Sequence, residues 1–223
     1  MSRLLDERKA IQRRLLEVDP ECRQLLYHGT SYPEKLSVID PQPSRTMIDK
    51  IKGHFVFAAR SFTMAVVHAN KVLVNRDYVD HVGVSVFRSF TGGAGTPYDG
   101  MTTEYCIVPH LEWFNSISQG GYVYGIKPDG FKERGAGEYT SQESVCPEFG
   151  LRVEGLIDLM EINVQVFALS NEYDADDFSY NWQQLEHDDE RACALDQFSK
   201  QGYFRWLNKE QGFEIPMGPM HHW

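Results

Sequence analysis

The chain has 223 residues, of which 42% are hydrophobic, 24% charged and 13% aromatic, with a formal net charge of −10. That length fits one domain with extensions, or at most two small ones, with enough apolar content for a sizeable core that needs no disulfide staple. The acidic balance excludes a broad nucleic-acid or anionic-membrane surface, because phosphate binding needs clustered Lys and Arg, but it leaves room for one local basic pocket.

In chain order, residues 3 to 18 predict an amphipathic helix, with Leu4, Leu5, Ile11, Leu15 and Leu16 near helical spacing and Asp19-Pro20 as its stop. It reads as a helix packed on its own domain rather than as a partner-binding arm. Its charges leave no continuous apolar stretch, so it is no secretory signal. Nowhere do about 18 apolar residues run uninterrupted, so no membrane helix is expected. The expected location is cytoplasmic, with signal-less secretion compatible. The four cysteines, Cys22, Cys106, Cys146 and Cys193, form no C-x-x-C pair, so reduced thiols and no zinc or other metal site are expected.

Arg23 to His28 predicts a short strand entering a His28-Gly29-Thr30 corner. Ser31 to Lys52, punctuated by Pro33, Pro41 and Pro43, predicts a long loop, a length often found in lids over sites. His54 to Ala59 is apolar on both faces, as a central strand should be, and Ser61 is placed to cap a helix through Met64, Ala65, Val67, His68 and Ala69. A turn at Asn75–His81 precedes an alternating strand at 82–87, and Thr91–Pro97 is Gly-rich but lacks the Gly-Lys-Ser/Thr of a phosphate loop, so it reads as a surface turn. Strands are expected at 104–108, 122–127, 144–146, 151–156 and 162–169, with a helical turn at 110–114 and a charged loop over 128–140. From Ser170 the chain turns acidic, and helices are expected at 188–199 and 202–209, with Phe204, Trp206 and Leu207 requiring burial. Many strands, few long helices and a helical tail give an α+β class.

Three segments together carry a resemblance: Tyr27-His28-Gly29-Thr30; Phe57-Ala58 with Ala65 on the following helix; and Tyr139-Thr140-Ser141-Gln142-Glu143 before an apolar strand. They resemble the ADP-ribosyltransferase superfamily, in the H-Y-E-like branch that holds the poly(ADP-ribose) polymerases and the bacterial rifamycin-modifying ADP-ribosyltransferases. The run from Tyr122 to Phe131 is similar to a strand and loop of the latter enzymes. The resemblance covers about residues 23 to 169. It implies an N-terminal helix (1–22), an ADP-ribosyltransferase-like domain (23–169) of split, mostly antiparallel sheets around an NAD cleft, and a helical C-terminal extension (170–223) packed on that core.

It also implies NAD as co-substrate and transfer of ADP-ribose to an acceptor: a protein side chain, a nucleic-acid end or a small molecule. The biological setting would be that of a toxin, an effector or a housekeeping enzyme. Positioning and electrostatics do most of the work in such chemistry, because the glycosidic bond breaks through an oxocarbenium-like state with a good leaving group. By resemblance, His28 bonds the adenosine ribose, Gly29 lets backbone amide groups come close to the nicotinamide carboxamide, Thr30 also contacts NAD, and Phe57 supplies a stacking face with His68 as a second ring. Ser141 lines the site, Arg60 (or Arg45) neutralises the pyrophosphate, and Glu143 is the catalytic carboxylate, with Glu138 as its rival. Two departures stand out. Phe57 replaces the family's usual Tyr and drops a hydroxyl. Ser141 occupies the place where arginine-modifying members carry Glu or Gln, so arginine is not the acceptor this motif points to. NAD hydrolysis, an RNA 2′-phosphotransferase activity and a non-catalytic NAD- or ADP-ribose-binding module are the alternatives; Arg23 is the only basic neighbour of the first motif, which disfavours the RNA activity.

Overall fold

The computed structural model describes residues 2–43, 53–70, 85–91, 101–108, 120–135, 137–162, 164–169, 197, 200–202 and 204–212. The chain divides into two compact units, residues 1–71 with 119–154 and residues 72–118 with 155–223. Each combines helix with a largely antiparallel sheet, so the class is α+β.

The first unit begins with helix α1 (Arg3–Val18), started by Ser2, whose hydroxyl accepts from the Leu5 amide at 3.4 Å. Leu4 is its buried residue. Asp19 stops α1 and caps the 3₁₀ turn Pro20–Gln24 by accepting from the Glu21 amide at 2.9 Å. Lys127 lies 2.6 Å from the same carboxylate. Those two contacts, Lys127 first, hold the Asp19 pKa below its ordinary value.

Strand β1 (Leu26–Thr30) then enters a sheet with β2 (Gln42–Pro43), β3 (His54–Ala59), β6 (Gly121–Ile126), β7 (Lys132–Gly135), β8 (Glu138–Ser141) and β9 (Phe149–Val153). The order is β7-β8-β3-β1-β6-β9, with β2 on β3. Every pairing in it is antiparallel. The expected strand at 54–59 is β3, and it is central, between β8 and β1. The charged stretch 128–140, expected as loop, instead contains the β7–β8 hairpin. Local polarity hid it because β7 is an edge strand whose Lys132, Glu133 and Arg134 are exposed, a composition that edges favour. The expected strand at 144–146 is reduced to one bridge, Val145 with Ile39.

Helix α2 (Phe62–Asn70) follows β3, and Ser61 caps it by accepting from the Met64 amide at 3.2 Å. It lies on the sheet so closely that glycine is required beneath it. A Cβ on Gly29 would stand 1.8 Å from the Ala65 carbonyl oxygen, and one on Gly121 would stand 2.7 Å from that of Ala69 and 2.0 Å from that of Thr30. On the opposite sheet face Val56, Tyr124 and Ile126 form a buried cluster with Ile39 from the β1–β3 connection. Leu36, Tyr122, Phe131 and Val145 pack against that cluster.

The second unit holds β4 (Ser85–Thr91), β5 (Met101–Val108), β10 (Val164–Leu169) and β11 (Phe204–Trp206) in the order β11-β10-β5-β4, with β10 parallel to β5. Helices α3 (Leu156–Glu161) and α4 (Leu207–Glu210) complete its described part. The stretch 202–209, expected as one helix, splits into β11 and α4. Three residues of it pair with β10 at 167–169, and Asn208 explains the break. Its buried side-chain amide accepts from the Val166 amide at 2.7 Å and donates to the Val164 carbonyl at 2.8 Å, mimicking a strand where β11 ends. Expected features at 75–81, 92–97, 110–114 and 188–196, and Arg45, lie outside the described residues.

Candidate functional site

All the described candidate residues belong to the first unit. Which of them share a surface follows from strand parity, since alternate residues of a strand face opposite sides and cross-strand partners face the same side. In β1, Tyr27 and Gly29 face α2: the Tyr27 ring meets that of Phe62 at 5.3 Å, and Gly29 abuts Ala65. Leu26, His28 and Thr30 therefore face the other way. On that side His28 pairs with Tyr124 and Thr30 with Tyr122, while β3 contributes Val56 and Ala58, whose β8 partners are Ser141 and Tyr139.

The ring of His28 packs 6.4 Å from that of Tyr124. Its Nδ1 lies 2.6 Å from the Phe57 carbonyl oxygen. A carbonyl only accepts, so Nδ1 carries the proton and the neutral ring presents Nε2 as an acceptor. Burial drives the His28 pKa below the ordinary value of 6.5, against the Phe57 carbonyl, which raises it. The imidazole is thus a neutral ring with one nitrogen committed. Nε2 is suited to receive a hydroxyl, as a sugar would offer.

Strand direction decides which end of the sheet each residue reaches. Strands β1 and β8 are both antiparallel to β3, so they run the same way and their C-terminal ends emerge together. Tyr27 lies opposite Ala59. Val56, toward the N-terminal end of β3, is paired with Ser141. Thr30 and Ser141, the C-terminal residues of β1 and β8, therefore lie toward the same end of the sheet. Glu143 follows in a tight turn. Its amide donates to the Ser141 hydroxyl at 3.1 Å, and that hydroxyl is 3.3 Å from the Glu143 carbonyl oxygen. Glu143 is exposed. Glu138 sits opposite Ala59 and shares the parity of Tyr27, so it faces the α2 side, whereas Ser141, which leads into Glu143, faces the His28 side.

Three other expected residues are not gathered there. Phe57 has the parity of Ala59 and Tyr27, so its ring is on the α2 face beside Phe55, at 6.0 Å, and only its carbonyl reaches His28. His68 is an exposed residue of α2, on that same far side. Arg60 follows the C-terminal end of β3, at the opposite end of the sheet from Thr30. There its Nε donates to the Tyr139 hydroxyl at 2.6 Å, the chief cause of its raised pKa. Gly29 also differs in detail from its expected role: what fills the place of its missing Cβ is the α2 backbone.

The face with His28 offers rings of its own. Tyr122, partly exposed, stands beside Thr30 and stacks on Tyr124 with centroids 6.0 Å apart. The Arg152 guanidinium lies 5.2 Å from the Tyr122 centroid. The alternation Tyr122-Val123-Tyr124-Gly125-Ile126 was the available signal for this aromatic row. A pocket lined by Pro20, Glu21, Arg23, Gln24, Pro128 and Asp129 is at the opposite, N-terminal end of β1. Among the described residues no group of three or more His, Cys, Asp or Glu could hold a metal ion, and no helix is long and apolar enough to cross a membrane. Comparison with protein-family models, curated proteins and solved structures found no match to this chain.

Proposed function

We propose that this protein is a mono-ADP-ribosyltransferase that cleaves NAD at the nicotinamide–ribose bond and passes ADP-ribose to an acceptor. One observation carries the reading: His28, with its acceptor nitrogen, and Ser141, which opens the Glu143 turn, lie on one face of one sheet, joined through β3. In this reading Nε2 of His28 accepts from a hydroxyl of the adenosine ribose. Gly29 and Thr30 present backbone groups to the nicotinamide carboxamide, and Tyr122 supplies the ring face that Phe57 cannot reach. Glu143 accepts from the nicotinamide-ribose hydroxyl, so its negative charge supports the positive charge that develops on the sugar. The C–N bond breaks with its electron pair leaving on nicotinamide. A lone pair of the acceptor then bonds the anomeric carbon, and the acceptor proton is lost to the carboxylate or to water. The cleft between split sheets that this fold family would supply is part of the proposal.

A second reading, a module that binds NAD or ADP-ribose without turning it over, is favoured by the placement of Phe57 and His68 on the far face. Incubation with NAD labelled in both halves separates the readings. The transferase releases nicotinamide and leaves ADP-ribose label on an acceptor from cell extract, and Glu143→Ala lowers that release by about 10³-fold. Free ADP-ribose alone identifies a hydrolase. Retained NAD affinity with no release by wild type identifies the binding module, and undiminished turnover in Glu143→Ala rejects the assignment of this carboxylate.

A further inference from the structure

We propose that Asp40, in the connection that follows the His28 corner, is a positioning residue for Glu143, acting through Ser144. The inference rests on the transferase reading and concerns how its carboxylate is held. Glu143 is exposed, and among the described residues its side chain has no hydrogen bond or ion pair; its backbone is fastened on both sides. Upstream, the Ser141 hydroxyl takes the Glu143 amide at 3.1 Å. Downstream, the Ser144 hydroxyl donates to Asp40 Oδ1 at 2.6 Å, a charge-assisted bond. Next to it Val145 and Ile39 exchange two backbone bonds, Ile39 N–H to the Val145 carbonyl at 2.9 Å and Val145 N–H to the Ile39 carbonyl at 3.0 Å.

Ile39 is 3% exposed and packs in the cluster with Val56 and Tyr124. Tyr124 is the residue against which the His28 ring lies, and its hydroxyl accepts from the Leu36 amide at 2.7 Å. Contact therefore runs without interruption from His28 through Tyr124 and Ile39 to Val145, two residues past Glu143. The Ile39–Val145 bridge sets the distance of the Glu143 turn from the His28 face, and the Asp40–Ser144 bond fixes the residue between bridge and carboxylate. Both members of that bond are exposed, so its contribution to global stability is small. Its effect falls on orientation, to which the chemical step is sensitive.

The test compares Asp40→Ala, Asp40→Asn and Ser144→Ala in nicotinamide release and in backbone hydrogen exchange. Asp40→Ala and Ser144→Ala each lower kcat by about tenfold with KM for NAD little changed, and the double variant loses no more than either alone. Asp40→Asn keeps an acceptor oxygen and restores most of kcat. In Asp40→Ala the amides of 143–145 exchange faster, about tenfold, while those of β3 do not. Unaltered exchange at 143–145 overturns the clamp whether or not the protein turns over NAD. Faster exchange with unchanged kcat, or a loss in Asp40→Ala that Ser144→Ala does not share, overturns the positioning role. A wild type that releases no nicotinamide overturns the transferase reading instead, which the exchange result does not touch.

Discussion

The two faces of the seven-stranded sheet carry different halves of the same set of motif residues. One face holds His28, Thr30, Tyr122, Tyr124 and Ser141, with a polar nitrogen left as an acceptor and a partly exposed ring beside it. The other holds Tyr27, Gly29 and Phe57 beneath or beside α2, and its business is packing: edge-to-face rings, and a glycine into which a helix backbone fits. Neighbours in sequence thus have opposite tasks. In His28-Gly29 the first residue faces Tyr124 and the second faces a helix, because strand parity places them back to back.

Substitution at each member of that pair sharpens the contrast. Gly29→Ala drives a methyl group to within 1.8 Å of the Ala65 carbonyl oxygen, which is backbone and cannot swing aside. We expect about 3 kcal/mol of destabilisation, seen as a fall in the denaturant midpoint, since overpacking against a fixed backbone lies at the costly end of its range. A wild-type midpoint would show that α2 is not seated where its contacts put it. A smaller effect separates the rings. Tyr122→Ala should weaken NAD binding by about tenfold through lost stacking, while Phe57→Ala, on the far face, should leave binding nearly unchanged. The reverse pattern would place the ligand on the α2 side.

The pH dependence is smaller still. Burial favours the neutral imidazole of His28, so its folded pKa lies below the unfolded value of 6.5. A depressed histidine contributes stability that is fully present above the unfolded pKa and lost as pH falls through the folded one. NAD affinity should accordingly be flat from neutrality upward and fall on the acid side of about 6.5, where protonated Nε2 no longer accepts. His28→Ala should bind more weakly and lack that acid limb; an equal limb in the variant would assign it to another group.

Much of the first unit was legible from the sequence, and the reasons are local. Helix α1 ends where Asp19-Pro20 stops it, β3 is the apolar run 54–59, and Ser61 caps α2 as its residue type implies. The β7–β8 hairpin was hidden because an edge strand needs no apolar pattern, and the 204–206 strand because Asn208 completes its role with a side chain. Within the candidate site, the motif spacing pointed to His28, Ser141 and Glu143 but gave no account of sides. Placing Phe57 and Arg60 required the pairing Tyr27↔Ala59 and the direction of β3, which no local signal contains. Asp40 was illegible for a similar reason: its partner Ser144 is 104 residues away.

Two histidines on opposite sides of the sheet allow the most direct test. With ¹⁵N-labelled histidine, the free protein should show His28 as the Nδ1–H tautomer, since Nδ1 meets the Phe57 carbonyl. On saturation with NAD, the Nε2 resonance of His28 should move as it gains a hydroxyl donor, while the resonances of His68 on α2 stay in place. Movement at His68 with His28 silent, or no movement at either under saturating NAD, would contradict the account.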